Sequence, residues 1–259
     1  MIHIHSRDNP LVKALRRHQT DPAAYRRSGW VVLEGDHLCE AWRASPAART
    51  TRLRHVILSE SRIQQVREDV AWGNEVIVMP DTLIASISAL ETAPEQLFVV
   101  DLPTAAQPLA LTHAPTVVLD RLQDPGNVGS ILRSAAAFGV TQVLAIKGTA
   151  ALWSPKVLRA GQGAHFALSL MEVDAGWAMD ALVEARLAIV ATSSHAEVTL
   201  GSVPLPSPLA WVFGHEGQGV DGYWLDRARS VRIPQTSQES LNVAAAAAIC
   251  LFHSSRGRP

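Results

Sequence analysis

The chain has 259 residues, 47% of them hydrophobic and 18% charged, with a formal net charge of -1. This length suits one large domain or two ordinary ones, and the composition is that of a globular protein, not a disordered or fibrous one. No apolar run approaches the roughly 20 residues that a membrane-spanning helix needs, and so balanced a charge gives no global sign of a polyanionic partner.

The charge distribution says more than its sum. Residues 1–70 carry 12 Lys and Arg against 8 Asp and Glu, whereas residues 71–110 have 5 acidic residues and no Lys or Arg. A basic front segment can attract phosphates or be solvated surface. The opening MIHIHSRDNP lacks the apolar stretch of a signal peptide, so the expected compartment is the cytoplasm. Cys39 and Cys250 are far apart, each in an apolar helical context, and read as buried thiols instead of a disulfide or metal pair. Of the ten histidines, only His3 and His5 have ligand-like spacing, at the terminus, so no metal is expected.

In chain order, residues 9–17 (NPLVKALRR) predict a short helix with Leu11, Val12 and Leu15 apolar, and a basic helix or turn follows around Tyr25, Arg26 and Arg27. Strands are predicted over 30–33, 55–58, 75–79 and 96–101, and helices over 37–44, 59–70 and 81–89. This alternation describes a small α/β unit of about 100 residues. Residues 102–115 (LPTAAQPLALTHAP) contain three prolines and no strong period, which marks a linker or extended crossover. The expected division is therefore a first domain over 1–105, a linker over 106–115 and a second domain over 116–259.

The second half alternates again. Strands are predicted over 116–120, 142–146, 167–170, 188–192, 209–214 and 230–233. Helices are predicted over 127–138, 154–161, 175–185, 223–228 and 242–254. Near-continuous apolar strands with helices between them imply a parallel sheet covered on both faces, with ligands bound outside the carboxyl ends of its strands.

Three strand ends are candidates. Residues 120–139 read DRLQDPGNVGSILRSAAAFG. There a helical period begins after Asp124-Pro125-Gly126, with Pro125 near its start and Gly139 just past its end, and puts Val128, Ile131, Leu132, Ala135 and Phe138 on one face. Asn127, Ser130, Arg133 and Ser134 share the opposite face, either as a solvated surface with one charge or as a site. After Trp211-Val212-Phe213 comes GHEGQG, where three glycines either let the backbone approach a ligand or form an ordinary turn, with Glu216 among them. After Val231-Arg232-Ile233, the polar PQTSQESL leads to a helix that Ser240 or Asn242 could cap. The alanine run 244–248 favours helix and allows close backbone packing. No dinucleotide fingerprint, phosphate-binding loop or zinc-protease motif is present, and His195 is a lone loop histidine.

Together the segments DPGNVGSILRSAAAFG, VFGHEGQGV and RIPQTSQESLNVAAAAAI resemble, in order and separation, the three motifs of the SpoU/TrmH family of RNA 2′-O-methyltransferases, within the SPOUT superfamily. The first half, with NPLVKALRR and VVLEGDHLCEAW, looks like that family's appended substrate-binding domain, similar to small ribosomal RNA-binding proteins. The resemblance implies an α/β fold whose C-terminal segment is threaded into a deep trefoil knot, S-adenosylmethionine as cofactor, and a homodimer. It implies Asn127, Arg133, Glu216, Ser240 and Asn242 as catalytic residues. Gly214, Ile233 and Leu241 are implied as cofactor contacts, with Thr192 and Ser193 on the loop before the second motif. Gln235 is a departure, since relatives often have an apolar residue there. The implied substrate is a ribose 2′-hydroxyl in RNA, with 23S rRNA favoured over tRNA; a non-catalytic RNA-binding protein with the same fold is the alternative.

Overall fold

A computed structural model describes residues 1–63, 76–88, 90–103, 110–236 and 240–256. Part of the predicted helix 59–70, Glu75, Ala89, residues 104–109 of the linker region and residues 237–239 of the third segment lie outside the described residues. The chain forms two compact units, one of residues 1–104 with 153–166, the other of 105–152 with 167–259, so the division is not contiguous in sequence.

The first unit starts with β1 (Ile2–His3), α1 (Pro10–Thr20), α2 (Ala24–Ser28), β2 (Trp30–Glu34), α3 (Asp36–Ala44) and α4 (Ala47–Thr50). It continues with β3 (Leu53–Ser59), α5 (Glu60–Ile63), β4 (Val76–Met79), α6 (Asp81–Ala85) and β5 (Gln96–Asp101). The helix α1 begins where predicted because Asn9 caps it, accepting from the Leu11 amide at 2.9 Å, and Pro10 fits its first turn. It buries Val12, Leu15 and His18. The sheet order is β1-β4-β3-β5-β2, with β5 antiparallel to both neighbours and β3, β4 and β1 parallel. Two-residue β1 was not predicted, because an edge strand this short shows no periodicity. The His18 ring stacks on Trp30 with centroids 3.7 Å apart. Burial lowers its pKa to about 4, with Asp21 opposing the shift and Arg27 adding to it.

The second unit opens with β6 (Thr116–Asp120), α7 (Pro125–Ala137) and β7 (Gln142–Ile146). Helix α8 (Pro155–Gly161) follows in the chain but is grouped with the first unit. Then come β8 (Ser169–Val173), α9 (Ala175–Glu184), β9 (Ala188–Thr192), β10 (Leu209–Gly214), α10 (Gly222–Leu225), β11 (Arg229–Val231) and α11 (Val243–Ser255). All six strands are parallel, in the order β11-β9-β10-β6-β7-β8. Every residue of β6, β7 and β10 is buried, which is why these three strands read as unbroken apolar runs. Chain direction across the sheet reverses at the β10–β6 pair, so a crevice is expected beyond their carboxyl ends.

In this second unit two strands differ from their predicted spans. A 3-10 turn over Ala164–Ala167 uses the first residue of the predicted strand 167–170, and pairing with β7 begins at Ser169. The strand predicted over 230–233 ends at Val231, because the Arg232 amide turns to the Val198 carbonyl at 2.9 Å. The helix predicted over 223–228 is Gly222–Leu225, held at its start by the Asp221 side chain, which accepts from the Tyr223 amide. No helix among the described residues is long and apolar enough to cross a membrane.

Candidate functional site

The site is assembled from the carboxyl ends of β6, β9, β10 and β11. The β6 end feeds α7, whose N-cap is Asp124; its carboxylate accepts from the Asn127 amide at 2.7 Å, and Pro125 occupies the first turn. Val128, Ile131, Leu132 and Ala135 anchor the buried face. At the far end the Val140 amide reaches back to the Ala135 carbonyl (2.9 Å) across Gly139, whose φ of 73° suits a left-handed helix stop. Asn127 is thereby fixed in the first turn, beside the loop that follows β10.

That loop needs its first glycine for a reason the sequence did not reveal. A Cβ on Gly214 would stand 2.2 Å from the Val220 amide nitrogen and 2.4 Å from the Gly219 carbonyl oxygen, so the chain itself occupies the space a side chain would need. Gly219, at φ 72°, turns the loop back, and its amide donates to the His215 carbonyl at 2.8 Å. The His215 Nδ1 lies 3.0 Å from the Gly217 amide and 3.3 Å from that of Gln218, stiffening the turn.

Glu216 leaves this loop toward α7. Its carboxylate accepts from the backbone amides of Gln123 (3.2 Å) and Asp124 (3.1 Å) and from the Asn127 side-chain amide (3.1 Å). Burial pushes its pKa up, but hydrogen bonds from its own amide, Asn127, Asp124 and Gln123 outweigh that and hold it below the usual range. The Asn127 side-chain oxygen accepts from Asn242 at 2.9 Å. The Asn242 oxygen in turn caps α11, accepting from the Ala244 (2.9 Å) and Ala245 (3.3 Å) amides, an interaction worth about 1 kcal/mol. Glu216, Asn127 and Asn242 thus form one bonded line across three segments more than 25 residues apart in sequence. Of the two candidate caps for α11, Asn242 is the one that caps it.

Beside this line lies a cleft of about 730 Å³. All five sequence-derived cofactor candidates, Thr192, Ser193, Gly214, Ile233 and Leu241, line it, as do Glu216, Ser240 and Asn242. Asn127 joins through its bonds to Glu216 and Asn242. Arg133 does not line the cleft of its own chain: it lies exposed on α7, six residues and about 9 Å of helix rise beyond Asn127. His215, Arg232 and Ser194 also line the cleft and were not singled out from sequence; their proximity to strand ends was the available signal.

Residues 114–252 match the SpoU rRNA Methylase family. The chain belongs to that family. It is similar along nearly all of its length to a 23S rRNA (guanosine(2553)-2′-O)-methyltransferase of Bacillus subtilis, with 28% identity over 98% of this chain and 99% of the relative. An uncharacterized tRNA/rRNA methyltransferase of Synechocystis sp. is 32% identical over 98% of this chain and 93% of its own. Among solved structures, the SpoU methyltransferase AviRb from Streptomyces viridochromogenes, in complex with the cofactor AdoMet, superimposes with a TM-score of 0.83 over 96% of this chain and 97% of that one. Its 24% identity makes this a likeness of fold.

The cleft of this SpoU methylase suits such a cofactor on its own terms. Its volume lies in the range that ligand pockets span, about 300–1,000 Å³. Val220, Val231, Ile233 and Leu241 supply apolar walls for a flat base, and Thr192, Ser193 and Ser194 supply hydroxyls for polar groups. Leu241 is 40% exposed, which leaves apolar surface that a bound base would cover.

Proposed function

We propose that this chain transfers a methyl group from S-adenosylmethionine to a ribose 2′-hydroxyl of 23S rRNA. The observation that carries the reading is the bonded line Glu216–Asn127–Asn242, which draws the three motif segments together at the edge of one cleft. The bound cofactor supplies an electrophilic methyl group on a sulfonium. Gly214, Ile233 and Leu241, with Thr192 and Ser193, hold it.

The remaining residues orient the substrate. Methyl transfer to a weak nucleophile is an in-line displacement, so alignment is the principal service a site performs. Glu216, ionised and saturated by three N–H donors, is a poor proton acceptor near neutral pH and acts as a fastener for Asn127 and the start of α7. Asn242 fixes the other end of the Asn127 amide. Ser240 offers a hydroxyl to the ribose. The Arg133 guanidinium, a planar fork of N–H donors, serves as a two-pronged phosphate clamp.

The protein acts as a homodimer through α11 and its surroundings. Ile249 and Phe252 on α11 are 41% and 52% exposed, and Phe252 meets Phe138, at the end of α7, edge-on at 5.8 Å. The C-terminal segment completes a deep trefoil knot. The support is that β11 lies at the sheet edge while Asn242, eleven residues after Val231, bonds to Asn127 beyond β6 near its centre. The first half is an RNA substrate-binding domain and the compartment is the cytoplasm; the basic front segment supports the former.

The test is transfer of tritium from labelled S-adenosylmethionine to ribosomal RNA, with 2′-O-methyl sites mapped in cells with and without the gene. Incorporation into tRNA alone would replace the substrate. Arg133→Ala is expected to abolish transfer while calorimetric cofactor affinity stays within about twofold. Loss of cofactor binding would move Arg133 into the cofactor site.

A further inference from the structure

The loop after β10 has two sides. Gly214, His215, Glu216, Gly219 and Val220 line the cleft, whereas Gln218 and Asp221 do not. Those two residues are held from behind by a pair at the end of β6. Asp120 is 1% exposed and follows the apolar Val117-Val118-Leu119 at the end of a wholly buried strand. A carboxylate so buried requires partners, and it has them: the Arg121 Nε at 3.1 Å and second guanidinium nitrogen at 3.2 Å, and the Asp221 backbone amide at 2.8 Å. The same guanidinium reaches the Gln218 side-chain oxygen at 3.3 Å and the Asp221 carboxylate at 3.2 Å.

Arg121 achieves this from an unusual backbone conformation, with φ at 58°, in the left-handed region that non-glycine residues seldom adopt. The turn folds the side chain back over Asp120. Its stem runs past Gly148, where a Cβ would stand 3.3 Å from the Arg121 Cγ, so the space for the stem depends on that glycine. A strained non-glycine residue persists where surrounding structure holds it, and such positions gather at binding sites. The loop is therefore fastened twice to one segment: by Glu216 to Gln123, Asp124 and Asn127, and by Gln218 and Asp221 to Arg121 and Asp120.

We propose that Asp120 and Arg121 are positioning residues for the methyl-donor site, clamping the rear of the 214–221 loop so that its front keeps the shape that binds the cofactor. This rests on the reading that the cleft holds S-adenosylmethionine. Neither residue lines the cleft, so the effect passes through the loop and falls on cofactor affinity, not on the transfer step.

The test is calorimetric titration of the full-length chain with S-adenosylhomocysteine, alongside steady-state kinetics. Arg121→Met keeps the stem and removes the fork; its Kd is expected to rise about tenfold, with KM for the cofactor rising in parallel and kcat little changed. Arg121→Lys, which restores the charge without the two-pronged geometry, is expected to recover part of that loss. Gln218→Ala removes one strap from an exposed position and serves if Arg121→Met does not fold; it should weaken binding by about threefold. Wild-type affinity in Arg121→Met or, where that variant does not fold, in Gln218→Ala overturns the clamp. A lowered melting temperature with unchanged Kd and KM overturns it equally, since that is what a merely structural role predicts. A wild-type chain that binds no S-adenosylhomocysteine overturns the cofactor reading itself, and the clamp with it.

Discussion

The two sheets of this protein are built from similar apolar strands, yet it is the second whose strand ends gather around the cleft described above. In the first unit β5 alone runs against its neighbours, so the segment after β5 leaves from the edge opposite to the one used by those after β1, β2, β3 and β4. In the second all six strands point the same way. The segments after β6, β9, β10 and β11 must then emerge at one edge, and the reversal of strand order at β10–β6 opens a crevice among them. In the second unit a shared strand direction and the reversal of strand order together decide where chemistry collects.

The largest effect should come from closing that crevice at its tightest point. Gly214→Ala drives a methyl group into the backbone of Gly219 and Val220, and is expected to cost about 3 kcal/mol or more and to abolish cofactor binding. Denaturant unfolding together with calorimetry checks both. A variant that keeps wild-type affinity would mean that the loop shape does not matter to the site.

The first unit carries a different sensitivity. His18 is held neutral, its folded pKa lowered to about 4, while in the unfolded chain it titrates near 6.5. The unfolded state therefore binds the extra proton between those values, so the stabilisation is complete above the upper one and is lost as pH falls toward the lower. Stability should drop by up to about 1.4 kcal/mol per pH unit inside that window. His18→Gln should remove that slope in unfolding experiments run across the same pH range. A wild-type chain with equal stability at both ends of the window would show that the ring charges freely against Trp30.

A smaller effect is expected at the bonded line. Asn127→Ala takes one of three donors from Glu216 and leaves the Asn242 amide without its partner, for about 1 kcal/mol of stability. Methyl transfer should fall by about 100-fold, since orientation of the reacting groups is lost. Measuring kcat/KM beside the melting temperature separates the two. Loss of stability without loss of activity would leave the line as scaffolding only.

Much of the second unit was legible because its central strands β6, β7 and β10 are buried on both faces and so read as largely apolar runs. The caps at Asp124 and Asn242 and the helix stop at Gly139 were marked by residue types that have few other uses there. Legibility failed where a partner distant in sequence sets the outcome. Two-residue β1 exists because β4 offers it a parallel edge, and β11 ends early because Val198 captures the Arg232 amide. The sequence marks Asp120 only as the last residue of the strand over 116–120 and assigns Arg121 no role. Nothing local to those two residues announces Gln218 and Asp221, roughly a hundred positions away.

The sequence by itself determined the element types, the all-apolar strands, the three polar strand ends and the candidate residues at them, because periodicity, capping chemistry and glycine placement are local properties. Only the tertiary structure decided which of those residues touch. It gave Glu216 three donors and a lowered pKa, joined Asn127 to Asn242, and filled the space beside Gly214 with the protein's own backbone. It also left Arg133 outside the cleft of its own chain. Contacts between distant segments depend on strand order and direction, and a linear pattern does not encode those one residue at a time.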